Sequence, residues 1–100
     1  MRLDDLVAKL KKTEPALRAN GVRALYLFGS HARDDARNES DVDVFVDPQT
    51  DDDFGFIEYM NAYAAIVDAV GPGIDVGYST RDGLSKYVRG SVEREATRVF

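Results

Sequence analysis

The chain has 100 residues, with 18 Asp and Glu against 13 Lys and Arg, for a formal net charge of −5 at pH 7. That acidic balance argues against a protein that grips nucleic acid directly by neutralising phosphates, and the absence of cysteine excludes disulfides and thiolate metal sites. No apolar run exceeds six residues and Met1-Arg2-Leu3-Asp4-Asp5 lacks an apolar stretch, so neither a membrane span nor a signal peptide is expected. A single domain over residues 1–100, burying about 60–70% of its extended surface in the cytoplasm, is the expectation.

Leu3, Leu6, Val7 and Leu10 recur at i, i+3, i+4 and i+7, the spacing of one helix face, with Lys9, Lys11 and Lys12 off that stripe. Pro15 interrupts the pattern. Thr13 is a candidate cap for a second short helix stopped by Asn20-Gly21. Val22 to Phe28 reads as a buried strand, and residues 31–40 as a polar loop or a single helical turn. Asp41 to Asp47 reads as a second strand ended by Pro48.

Asp51-Asp52-Asp53 fits the acidic start of a helix better than a metal cluster, because carboxylates favour the positive end of the helix dipole. Phe54 to Val70 is the longest expected helix, with Tyr59, Tyr63, Ile66 and Val70 on one stripe and Phe56, Ile57, Met60 and Val67 flanking it. Gly71-Pro72-Gly73 stops it. Ile74-Asp75-Val76 reads as a third strand, and Ser79-Thr80-Arg81-Asp82 as a helix start. Leu84, Tyr87, Val88 and Val92 would form that helix's stripe, and Thr97 to Phe100 alternates as a short last strand would.

The chemistry concentrates between Leu25 and Asp47. Asp41 and Asp43 alternate with Val42 and Val44, so on a strand both carboxylates project to one side, roughly 6.6 Å apart. Two such carboxylates repel each other unless a cation lies between them. Hard divalent ions such as magnesium take oxygen ligands, commonly one or two carboxylates plus substrate phosphate oxygens. Gly29 allows a phosphate to approach the backbone closely, and the Ser30 hydroxyl and nearby amides can donate to it. Arg33 and Arg37 can balance phosphate charge with forked donors. His31 is the only histidine; with no matching acid in view it reads as a surface or loop residue rather than a general base.

Gly29-Ser30, ten intervening residues and Asp41-Val42-Asp43 together resemble the motif of the polymerase-β-like nucleotidyltransferases. The small size and the Gly-Ser-His-Ala-Arg opening look most like the minimal nucleotidyltransferases, often encoded as antitoxins beside a HEPN-domain toxin. The resemblance runs from about Val22 to Val76. It implies an α+β (α/β) fold, a small mixed sheet with flanking helices. It further implies ATP as substrate, a two-metal Mg2+ site on Asp41, Asp43 and Asp75, and nucleotide binding by Gly29, Ser30, Arg33 and Arg37. Asp75 matches the family's third carboxylate; its alternative is a solvent-facing residue of an edge strand. One departure stands at Asp34-Asp35, where many relatives have a glycine after the arginine. By the same resemblance the product is AMP on a protein hydroxyl, a tyrosine of a HEPN toxin, in a hetero-oligomer with that partner. Two other functions compete: an antitoxin that neutralises its toxin by binding alone, and a small-molecule nucleotidyltransferase subunit.

Overall fold

In the computed structural model, which describes residues 2–33 and 41–100, the chain opens on two short helices, α1 (Leu3–Lys11) and α2 (Glu14–Ala19). Leu6 and Leu10 on α1 and Leu17 on α2 are fully buried, as the helical stripe requires. Thr13 does not cap α2 with its side chain. Its hydroxyl instead donates to the Leu10 carbonyl at 2.6 Å, closing the end of α1. Gly21, at φ +83°, then turns the chain into β1 (Val22–Phe28).

Four strands form one sheet in the order β3-β2-β1-β4, with β2 spanning Val42–Pro48, β3 Val76–Thr80 and β4 Thr97–Arg98. β1 pairs antiparallel with both β2 and β4, whereas β3 runs parallel to β2. The sheet is therefore mixed. Strand alternation divides it into two faces. Leu25 and Leu27 of β1, with Val42, Val44 and Val46 of β2, join the helices in the core, together with Ala62, Ile66 and Val70 of α3 (Phe56–Val70). The other face carries Tyr26, Phe28, Asp43, Phe45 and Asp47, and lies outside that core cluster.

Three elements depart from the sequence expectation. α3 begins at Phe56, so Asp51-Asp52-Asp53 is an exposed turn before the helix and not its first turn. Its residues Phe56 and Ile57 face solvent at 78% and 69% exposure, so α3 is apolar on a side the core does not use. β3 starts at Val76 and continues through Thr80. Ser79 and Thr80 are thus ladder residues, paired with Phe45 and Val46, rather than a helix start. The following helix, α4 (Arg89–Glu95), begins later than the stripe from Leu84 indicated and buries no residue. The short last strand forms as expected: β4 pairs with β1, and the Val99 amide extends the pairing by donating to the Leu25 carbonyl at 2.8 Å.

Candidate functional site

β1 ends on Phe28, and Gly29 leaves it with a left-handed φ of +77°. The Arg33 amide donates to the Gly29 carbonyl at 3.2 Å, so residues 29–33 close one helical turn. This turn brings Gly29 and Ser30 beside β2. In the antiparallel register Phe28 lies opposite Asp43, and in the parallel register Asp43 lies opposite Gly77.

Asp43 is half-buried between two glycines. A Cβ built on Gly29 would stand 2.5 Å from its Oδ2, and one built on Gly77 would stand 2.5 Å from its Oδ1. At Gly29, where the sequence predicts close approach of a phosphate, the group that lies close is the Asp43 carboxylate. Burial pushes the Asp43 carboxyl up from its ordinary value, and the neighbouring Asp41 carboxylate pushes it further. His31 and Arg33 pull it down, but less strongly.

Asp41 stands exposed immediately before β2, on the same face as Asp43 by strand alternation. The turn and β2 thus bring Gly29 against Asp43, with Asp41 close enough to act on the same carboxyl. Asp75 lies just before β3; its carbonyl accepts from the Val42 amide at 2.9 Å, and its side chain is exposed. It occupies the step before the ladder, next to Asp41. Among the described residues, no group of three or more His, Cys, Asp or Glu side chains is arranged to hold a metal ion. Arg33 pairs with Glu95 of α4 at 3.1 Å while remaining within electrostatic reach of Asp43. Arg37 lies outside the described residues, as do Asp34 and Asp35.

His31 corrects the sequence reading. It sits in the loop, as expected, but only 2% of it is exposed, and it lies within electrostatic reach of Asp43. Gly77 lies outside the Gly-Ser and Asp-Val-Asp motif. The available signal was a glycine inside an apolar-flanked strand, which marks a close approach by another group.

Farther along the same face, Asp47 is held by Arg81 in a two-pronged ion pair, with Nε to Oδ1 and Nη2 to Oδ2 both at 2.9 Å. Tyr26 and Phe45 stack between the two acidic positions, centroids 4.7 Å apart, with the Arg81 guanidinium 5.0 Å from each ring centroid.

The chain matches the model of the polymerase beta nucleotidyltransferase family over residues 11–96. No sequence match was found among curated proteins. Among solved structures, one assigned as a minimal nucleotidyltransferase is 27% identical, with 97% of this chain and 95% of that chain covered and a TM-score of 0.78. A toxin–antitoxin structure with AMP-PNP is 20% identical, covering 91% of this chain and 72% of that one, at a TM-score of 0.68. A mutant of the MntA–HpeT toxin–antitoxin is 18% identical, covering 91% and 71%, at a TM-score of 0.67. With the match spanning most of its length and the Gly-Ser turn and paired carboxylates in place, this chain belongs to the polymerase-β nucleotidyltransferase family.

Proposed function

We propose that the chain transfers AMP from ATP to a hydroxyl of a partner protein, a tyrosine of a HEPN-domain toxin, and so acts as a cytoplasmic antitoxin. The observation that carries this reading is the Asp43 carboxylate, seated beside the Gly29-Ser30 turn with Asp41 on the same face. Similarity in fold to toxin–antitoxin structures, one of them with AMP-PNP, supports both the nucleotide and the partner.

Magnesium fits the residues present. The donors are hard carboxylate oxygens, and the Asp41 charge acting on Asp43 is an unfavourable pairing that a cation relieves. Asp41 and Asp43 would hold the metal, with Asp75 on the acceptor side. When bound, it neutralises charge developing on the phosphate oxygens and orients the reacting groups.

In the transfer, the tyrosine oxygen forms a bond to the α-phosphorus, and the bond from that phosphorus to the bridging oxygen breaks. Pyrophosphate leaves with that electron pair. Asp75, whose side chain is exposed, either binds the metal on the acceptor side or takes the hydroxyl proton as general base. Ser30 and the Gly29 backbone hold the β- and γ-phosphates in line, and Arg33 and Arg37 balance their charge. Positioning and electrostatics then supply most of the catalysis, a demand that a small scaffold can meet.

The test is the intact mass of a HEPN-domain toxin co-expressed with the chain and incubated with ATP and magnesium. A gain of AMP units with the native chain, and none with Asp43→Asn, is the expected result. A tight complex with no mass gain would move the function to neutralisation by binding. A gain that survives Asp43→Asn would remove Asp43 from the metal site.

A further inference from the structure

We infer that Gly77, on the edge strand β3, is a positioning residue: by carrying no side chain it fixes the orientation of the Asp43 carboxylate. The parallel register places the two residues opposite each other, so both project to the same face of the sheet. A Cβ on Gly77 would lie 2.5 Å from Asp43 Oδ1, 3.6 Å from its Cγ and 4.0 Å from its Cα. Only the outermost contact is impossible. A methyl group at this position is therefore accommodated by turning the carboxylate, not by moving the strand.

Gly29 meets the other oxygen at the same distance, but it has a second reason to be glycine, its φ of +77°. Gly77 has no such reason, because its backbone is outside the left-handed region and open to any residue. Its neighbours in β3, Val76, Tyr78, Ser79 and Thr80, all carry side chains. Glycine in a strand interior weakens the strand, so its presence here is accounted for by the group lying over it. The carboxylate spans from β3 to the Gly-Ser turn, one oxygen over each glycine. This leaves it a single seat.

The geometric part of this inference stands by itself; its consequence for metal and nucleotide rests on the function proposed above. Gly77→Ala should fold with no loss of stability, since replacing a non-left-handed glycine by alanine reduces the entropy of the unfolded chain. The Asp43 Cγ and Hβ chemical shifts of the ligand-free full-length chain should then move, because the carboxylate has turned, and unchanged shifts would overturn the inference. Titration with Mn2+·ATP should show affinity weakened about tenfold or more, the usual size when a group that orients a ligand is lost. In the Asp43→Asn background, Gly77→Ala should add no further loss, because the orientation it controls no longer matters. Additive losses would mean that Gly77 acts independently of Asp43. If the native chain binds no Mn2+·ATP, the proposed function fails while the Asp43 chemical shifts still decide the role of Gly77. Should Gly77→Ala not fold, Asp43→Ala in the same chain should restore folding by removing the group it strikes; no restoration would overturn the inference.

Discussion

Arg81→Met should cost stability well outside the apolar core, because it strands a buried carboxylate. The Asp47 side chain is 9% exposed, and both of its oxygens are bound by Arg81, whose own side chain is 30% exposed. The third arm of the guanidinium reaches Glu93 at 2.9 Å. Without Arg81, the partner left to Asp47 among the described residues is Arg23, at 3.5 Å and on a side chain 61% exposed. Breaking a buried pair costs about 3–5 kcal/mol because the remaining charge is stranded; screening at the partly exposed arginine reduces this to about 2–4 kcal/mol. For a domain of this size that is a fall of about 10–30 °C in Tm. Arg81→Met/Asp47→Leu removes the stranded charge as well and should recover most of the loss. Urea unfolding followed by circular dichroism measures both variants. A loss below about 1 kcal/mol, or a double variant no more stable than the single, would refute the reasoning. The pair also bears on the site, because the Arg81 amide donates to the Val46 carbonyl at 3.1 Å and is the last rung of the β2–β3 ladder. A slip of one residue there would turn Gly77 away from Asp43.

Other outcomes follow from burial and charge. Asp43 has its carboxyl pushed up by burial and by Asp41, so the native state binds that proton more tightly than the unfolded chain. Its ionisation therefore costs stability as pH rises through and above the ordinary value of 3.8, and Asp43→Asn should be more stable than the native chain at pH 7 and equal to it at low pH; urea midpoints showing no gain at pH 7 would contradict this. Ile66→Ala, at a fully buried position, should cost about 2–5 kcal/mol, whereas Ile57→Ala at an exposed one should stay within about 0.5 kcal/mol. Equal losses in thermal melts would mean that the solvent side of α3 is not solvated. Ser30→Ala should weaken ATP binding in calorimetry more than it weakens capture of the partner; equal loss would make Ser30 a structural residue.

Much of the fold was legible because its signals are local. The α1 stripe, the Gly21 turn and the β-branched and aromatic runs of β1 and β2 each declare themselves within a few residues. β3 was harder. Val76, Tyr78 and Thr80 do alternate with Gly77 and Ser79, but the glycine removes one side chain from the pattern and Ser79-Thr80 resembles a helix cap. Pairing with β2 overrode that local preference, an outcome set by contacts between residues more than thirty positions apart. The flanks of the α3 stripe are not decided by the sequence, for a related reason. Periodicity shows that a face is apolar, but not that another element covers it, and Phe56 and Ile57 remain in solvent.

The site divides along the same line. Gly29, Ser30, Asp41 and Asp43 belong to one continuous motif, whereas the burial of His31 and the place of Gly77 depend on how the loop and sheet close. What the closed sheet adds is a contrast between two aspartates on one strand and one face. Asp47 meets a fixed guanidinium that occupies both its oxygens. Asp43, four residues earlier, meets a glycine at each oxygen, and the pull of His31 and Arg33 is outweighed by burial and by Asp41. Among the described residues, the same side chain is thus closed by an arginine at one end of β2 and raised in pKa by burial and a neighbouring carboxylate at the other. Neutralising Asp47 locks the ladder. Burial and Asp41 disfavour the ionised form of Asp43, which a cation bound with its nucleotide would favour, and this is why the stability gained by Asp43→Asn and the activity it loses should arise from the same carboxylate.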